Sequence, residues 1–263
     1  MSVTAPTTLR ERPTRGPRRT RSGRSLVGYL TMPVFLVLVG VVLYLYVHAQ
    51  DLDSIEARSL NASRLTKAVW ESVQLTVVST VLVIAIAVPL GVLLTRPFTR
   101  RIRPYILAVF NIGQAIPTIG IFVLLAVAFL FLGFKAAIVG LVLYTVVPVL
   151  LNTMVGLEQV DDSILEAGRG MGISKFGVLR TIELPLSIPI ILAGVRTALI
   201  INVGTATLAT YINAGGTGDI IVAGLSTNRT LVQIVGAVLT AMLALFIDYL
   251  AGVAEDLLRP KGL

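Results

Sequence analysis

Few residues in this 263-residue chain could do chemistry, and their distribution argues against catalysis. There is no cysteine and one histidine, His48, so thiolate nucleophiles, disulfides and a histidine-based zinc site are excluded. The run Gly168-x-Gly170-x-Gly172 has the glycine density of a phosphate cradle. No strand signal precedes it, however, and no G-x-x-x-x-G-K-[ST] occurs in the sequence. The run is therefore not read as a nucleotide site. No nucleophile, base and orienting group converge, because most of the acids lie in loops between apolar runs.

The remaining polar residues stand out because they interrupt apolar runs. Gln114, Thr118, Asn152 and Thr153 cluster around Pro117 and Pro148. Proline lacks a backbone donor and breaks or kinks a helix, and the freed carbonyls need a cavity or neighbouring polar groups. The cluster therefore reads either as the lining of a solute path at a dimer interface or as hydrogen bonding between helices. Arg196 and Asp248 form a second set, each roughly 10 Å deep from the same end of an apolar run at 1.5 Å per residue. Intramembrane charges seek a partner or water, so either they pair or Arg196 snorkels while Asp248 meets water separately.

The elements that position these residues are membrane spans. A content of 55% hydrophobic residues against 14% charged does not suit a water-soluble surface. The apolar residues fall in runs of about 20, the length that crosses a bilayer core as a helix. Six runs are predicted, at 26–47, 69–94, 106–132, 136–156, 189–211 and 231–254, giving an all-α polytopic membrane protein. The first run is too long for a cleaved signal peptide and is kept as a span.

Residues 1–25 carry seven arginines among Pro, Gly, Ser and Thr and read as a disordered basic cytoplasmic tail. With that tail inside, Arg96, Arg100, Arg101, Arg103, Arg169, Lys175, Arg180, Arg259 and Lys261 also fall inside. The outer loops hold only Arg58, Arg64, Lys67, Lys135 and Arg229, so the positive-inside rule puts both termini in the cytoplasm. The same excess accounts for the net charge of +8 without nucleic acid.

Between the fourth and fifth runs, residues 157–188 form a connection too long and orderly to be a plain loop. Asp161-Asp162-Ser163 supplies a helix cap with acids in the first turn, and Ile164, Leu165, Ala167 and Met171 give a one-sided apolar stripe. The glycines permit a sharp turn, and Phe176, Val178, Leu179 and Ile182 resume a helical pattern before Leu184-Pro185 stops it. The expectation is a helix-turn-helix at the cytoplasmic membrane face.

That segment resembles a known signature. Glu166-Ala167-Gly168, three residues, Gly172, nine residues, then Ile182-x-Leu184-Pro185 is similar to the EAA motif of ATP-binding-cassette (ABC) importer permeases, with Gly168 where the family has Ala. The resemblance covers about 70–256 and implies a type I importer permease fold at 69–254. It also implies a coupling helix at 157–188 that docks in a groove of the ATPase, with Glu166 facing a basic partner and Gly172 making the turn. Gln114-Ala115-Ile116-Pro117-Thr118, Tyr144-x-x-x-Pro148-x-x-x-Asn152-Thr153, and Gly215-Gly216-Thr217-Gly218 resemble the osmoprotectant branch, with Thr217 where that branch has Leu. They imply a translocation path at Gln114, Pro117, Thr118, Tyr144, Asn152 and Thr153, and an outer gate at Gly215, Gly216 and Gly218.

The implied cargo is a quaternary-ammonium osmoprotectant such as glycine betaine, choline, carnitine or proline betaine. Such ligands are typically held in aromatic cages. Only 6% of this chain is aromatic, so recognition is expected on a separate extracytoplasmic binding protein. The chain binds no cofactor itself. ATP and Mg belong to a cytoplasmic ATPase dimer, and a second permease copy or a paralogue completes the assembly in a bacterial cytoplasmic membrane. Two rivals stand: an importer permease for another small solute such as an amino acid, and an ion-coupled secondary transporter or membrane scaffold, which needs no such hairpin.

Overall fold

The computed structural model describes residues 26–258, so the basic tail expected at 1–25 lies outside the described residues. Among the described residues every regular element is helical. Five helical stretches among the described residues are long and apolar enough to cross a membrane, and a bent pair of helices makes a sixth if it is counted as one span.

Helix α1 (Leu26–His48) is apolar on all sides and leans on the last long helix, where Gly40 faces Met242. Most of its surface is left to lipid, as expected of a span at the rim of a bundle. A short helix, α2 (Ser54–Ser59), follows. Its capping box has Asp53 accepting from the Glu56 amide at 2.8 Å and the Glu56 carboxylate accepting from the Asp53 amide at 3.2 Å. Helix α3 (Ala62–Leu94) begins well before the predicted 69, because Asn61 caps it by accepting from the Arg64 amide at 2.8 Å.

The third predicted run is not one rod. It is α4 (Arg103–Ala115) and α5 (Thr118–Ala128), bent by 89° at Ile116–Pro117. Pro117 has no amide to continue α4, and the residue before a proline is driven out of the helical region, here to ψ 125° at Ile116. Helix α6 (Phe134–Glu158) passes through Pro148 without breaking.

The hairpin comprises α7 (Asp162–Gly170) and α8 (Lys175–Val178). Leu184-Pro185 does not stop the chain there, contrary to expectation. A π-helical turn, Leu179–Glu183, carries it directly into α9 (Leu184–Ala206). The wider turn pairs the Leu184 amide with the Leu179 carbonyl and places Pro185 at the start of α9, where a missing N–H costs nothing. A 3₁₀ segment, Thr207–Ile212, leads to α10 (Gly218–Ser226), which lies in a connection expected to be loop, and to α11 (Thr230–Leu258).

Helices α3, α6 and α9 form the centre. A Cβ on Gly91 would lie 2.7 Å from Thr153, and one on Gly194 would lie 2.6 Å from Asn152, so missing side chains set how closely these helices approach. Small residues do this in membranes because lipid is as apolar as the helices themselves and close packing must drive association. One apolar cluster (Leu75, Phe122, Leu141, Ile212) lies toward the end bearing α10, and another (Val83, Leu94, Leu150, Met154) toward the hairpin end.

Candidate functional site

At the hairpin end, Asp161 caps α7 by accepting from the Ser163 amide at 2.8 Å. The Ser163 side chain, and then its amide, hold the exposed Asp161 carboxyl below the ordinary carboxylate range. Asp162 in the first turn and Arg169 in the last both suit the helix dipole. Leu165 and Gly168 face inward, and Ile182 Cδ1 lies 2.7 Å from where a Gly168 Cβ would be. The departure from Ala at 168 therefore leaves room for Ile182. Gly172 turns the chain at φ +83° with its amide donating to the Arg169 carbonyl at 2.9 Å.

Glu166 and Ala167 are exposed, while Ile182, Leu184 and Pro185 are half-buried beneath the hairpin. Ile164, Met171 and Phe176 are also exposed, the last two by 73% and 72%. These three sit on a segment capped by polar groups, where bare apolar side chains need a covering surface.

Two ion pairs brace this end. Arg96 Nη2 donates to Glu183 Oε2 at 2.5 Å and its Nη1 to Oε1 at 3.3 Å, which ties α3 to the π-turn. Arg103 pairs with Glu158, which ties α4 to α6. The positive-inside reading used both arginines and missed both partners; Glu183 follows Ile182 in the signature itself, which was the available signal.

In the middle of the bundle, Pro148 cannot donate to the Tyr144 carbonyl one turn earlier. Gln114 Nε2 supplies that donor from α4 at 3.1 Å. Asn152 Nδ2 donates to the Pro148 carbonyl at 2.8 Å and Thr153 Oγ1 to the Val149 carbonyl at 2.7 Å. Thr153 is fully buried against Gly91 and Thr118 is also buried, whereas Gln114, Tyr144 and Asn152 are half-buried and Pro117 is exposed at the bend. The structure thus brings Gln114, Tyr144 and Asn152 together around Pro148 and sets Thr153 behind them.

At the far end, Gly215 (φ +79°) and Gly216 (φ +101°) turn the loop 213–218 so that its amides point at α3. The Gly216 amide donates to Glu71 Oε2 at 3.0 Å and the Thr217 amide to Ser72 Oγ at 2.9 Å. Thr240 Oγ1 donates to Thr217 Oγ1 at 2.8 Å from α11. Thr217 is buried, so a hydroxyl stands among hydroxyls where the osmoprotectant pattern has an apolar side chain. Sequence reasoning found the glycines but not Glu71, Ser72 or Thr240.

Arg196 and Asp248 meet across α9 and α11. Arg196 Nη2 donates to Asp248 Oδ2 at 2.7 Å and its Nε to Oδ1, with Glu255 3.7 Å from Nη1.

Comparison with known proteins places this geometry. Residues 87–261 match the family described as "Binding-protein-dependent transport system inner membrane component". The chain is 38% identical over 203 residues to a carnitine transport permease protein, OpuCD, of Listeria monocytogenes, covering 76% of this chain and 89% of that one. It is 39% identical over 203 residues to the glycine betaine/carnitine/choline transport system permease protein OpuCB of Bacillus subtilis, covering 77% and 92%. Among solved structures, an inward-facing MetNI methionine ABC transporter chain matches with TM-score 0.68 at 26% identity, covering 76% of this chain and 98% of that one. A chain of an amino acid ABC transporter crystallised with histidines shares the fold at TM-score 0.64 and 16% identity, over 78% and 99%.

Proposed function

Because the chain belongs to the family of binding-protein-dependent transport system inner membrane components, we propose that it forms the translocation path of an ATP-driven importer for quaternary-ammonium osmoprotectants. It is an integral membrane transport subunit with the fold of type I ABC importer permeases. The observation that carries the mechanism is the rigid hairpin 161–178 with Ile164, Met171 and Phe176 bare. An ATPase groove covers them, and Glu166 on the same segment meets a basic residue there. Movement of that groove passes into the membrane through the π-turn, because α8 runs into α9 without a loop. Arg96 and Arg103 keep the neighbouring helix ends in register with it.

The partners are an ATPase dimer that carries the ATP and Mg, a second permease copy or paralogue, and an extracytoplasmic binding protein. The hairpin and both termini face the cytoplasm, on the distribution of lysine and arginine. The half-buried Gln114, Tyr144 and Asn152 around Pro148 line the path, and the clamped loop 213–218 forms the outer gate. Carnitine, glycine betaine and choline are the cargo named for the relatives, which supports a trimethylammonium solute here. The methionine importer's similarity favours an amino acid as the second reading.

The test is uptake of radiolabelled choline, carnitine, glycine betaine and methionine by the complete transporter in proteoliposomes. The expected result is ATP-dependent, binding-protein-dependent uptake of one or more trimethylammonium solutes. Glu166→Lys and Gly172→Asp each abolish it while the protein stays inserted. Normal uptake by both variants, or ion-gradient-driven transport by this chain alone, overturns the importer reading. Methionine as the sole cargo overturns the substrate.

A further inference from the structure

The hairpin end also holds a cavity of about 360 Å³ that the transport reading leaves unused, near the lower bound of ~300–1,000 Å³ for ligand pockets. It lies between the ends of α3 and α6 and the segment 95–103, and its wall includes Arg96, Arg100, Arg103 and Glu158. Arg96 and Arg103 are held in place by Glu183 and Glu158. Each retains donors, because a guanidinium carries five N–H groups, a bidentate carboxylate occupies two, and the Val92 carbonyl takes one more only at Arg96. Arg100 has no carboxylate partner among the described residues, so its positive charge is uncompensated, and the exposed Arg101 stands beside it. The wall is thus a preformed set of guanidinium donors with a net positive charge, beside the start of α4.

Its depth indicates what fills it. Phe98 and Ile102 on that segment and Tyr105 in the first turn of α4 are 74%, 51% and 75% exposed, and aromatic side chains at the ends of spans sit at the level of lipid headgroups. We propose that this cavity binds the phosphate of an anionic phospholipid, whose acyl chains lie in the bilayer beside α3 and α4. Guanidinium suits that ligand because its planar fork matches phosphate oxygens and remains charged at every physiological pH. The bound lipid braces the α3–α4 turn against the π-turn through Arg96 and Glu183. The inference rests on the chain being a membrane protein, not on its cargo or its energy source.

Native mass spectrometry of the complete transporter in detergent tests it, with phosphatidylglycerol, phosphatidylcholine and inorganic phosphate as probes. Phosphatidylglycerol is retained in preference to phosphatidylcholine. Arg100→Gln weakens its binding about fivefold, the worth of one basic side chain at an anionic surface. Arg100→Lys restores most of it. Arg100 is exposed and unpaired, so neither variant threatens folding. Equal retention of the two lipids, or unchanged phosphatidylglycerol binding by Arg100→Gln, overturns the proposal. Displacement by millimolar inorganic phosphate overturns the lipid source in favour of a soluble phosphate. Loss of the ATPase from the Arg100→Gln complex with lipid retention unchanged makes the cavity a protein contact and also overturns it. Lipid retention is read without transport, so its failure stays distinct from failure of the importer reading.

Discussion

The loop 213–218 and the hairpin 161–178, at opposite ends of the bundle, both turn on left-handed glycines, and the surroundings of those glycines differ completely. At the loop, a Cβ on Gly215 would lie 2.3 Å from the Glu71 carboxylate and one on Gly218 would lie 2.0 Å from the Thr207 carbonyl oxygen. At the hairpin, nothing lies within 4 Å of the corresponding point on Gly170 or Gly172. The first turn is closed by its own chain, which supplies Glu71, Ser72 and Thr240 to its amides and hydroxyl. The second turn keeps its backbone satisfied internally and leaves its outer surface to a partner. Glycine thus serves packing as well as conformation in the loop, whereas the hairpin divides the two roles: Gly172 at its turn serves conformation alone, and Gly168 beneath it makes room for Ile182.

The comparison breaks if the loop tolerates side chains as the hairpin does. Gly218→Val drives a branched side chain into backbone that cannot step aside, and overpacking costs about 1–3 kcal/mol or more. The expected outcome is a large fall in thermal unfolding temperature, or loss of folded protein from the membrane. Gly170→Ala, in open space at the end of α7, is neutral or slightly stabilising. Equal unfolding temperatures for the two variants in detergent would remove the distinction.

The difference also explains what could be read from the sequence and what could not. Apolar runs made the spans legible because in lipid the hydrogen bonding of the backbone leaves helices as the default. The hairpin was legible because cap, stripe and glycine all lie within one local segment, 161–178. The loop's clamp was not, since Glu71 and Gly216 are 145 residues apart and no local pattern announces that an acid will accept from a distant amide. The break at Pro117 was legible from the proline, but its 89° angle was not, because hydropathy runs unbroken through Ile116–Pro117 and carries no directional information. Pro185 misled in the opposite sense, because one wide π-turn absorbs a residue that ordinarily ends a helix.

A second test sharpens the comparison by asking how firmly the hairpin's helix is anchored. Since α8 continues into α9, the Arg196–Asp248 pair ties α9, the helix that the hairpin leads into, to α11. The side chains are 31% and 25% exposed, so the pair belongs between a surface bridge and a buried one. A double-mutant cycle with Arg196→Ala and Asp248→Ala is expected to give a coupling of about 1–2 kcal/mol in detergent unfolding. Glu255 absorbs part of the loss when Asp248 is removed. Additive effects, within about 0.5 kcal/mol, mean that each charge acts alone and that α9 is held by packing only.

The smallest expected effect lies at the hairpin's own cap and depends on pH. Hydrogen bonds from the Ser163 side chain and amide favour the charged form of Asp161, so its folded pKa lies below the ordinary 3.8. A carboxylate with a depressed folded pKa contributes stability that is complete above its unfolded pKa and is lost as pH falls through the folded value. The start of α7 should therefore be ordered at neutral pH and begin to fray only below about pH 4, while the Thr217 amide in the loop 213–218, held by the Ser72 hydroxyl, keeps its protection. Hydrogen exchange resolves the two ends separately: amides of residues 163–165 speed up relative to that of Thr217 as pH is lowered from 5 to 3, after correction for intrinsic rates. Asp161→Asn keeps a side-chain acceptor but cannot titrate, so its difference between the ends stays flat across that range. If the wild type is equally flat, the cap is not what orders the hairpin, and the buried contacts of Leu165 and Ile182 must hold it unaided.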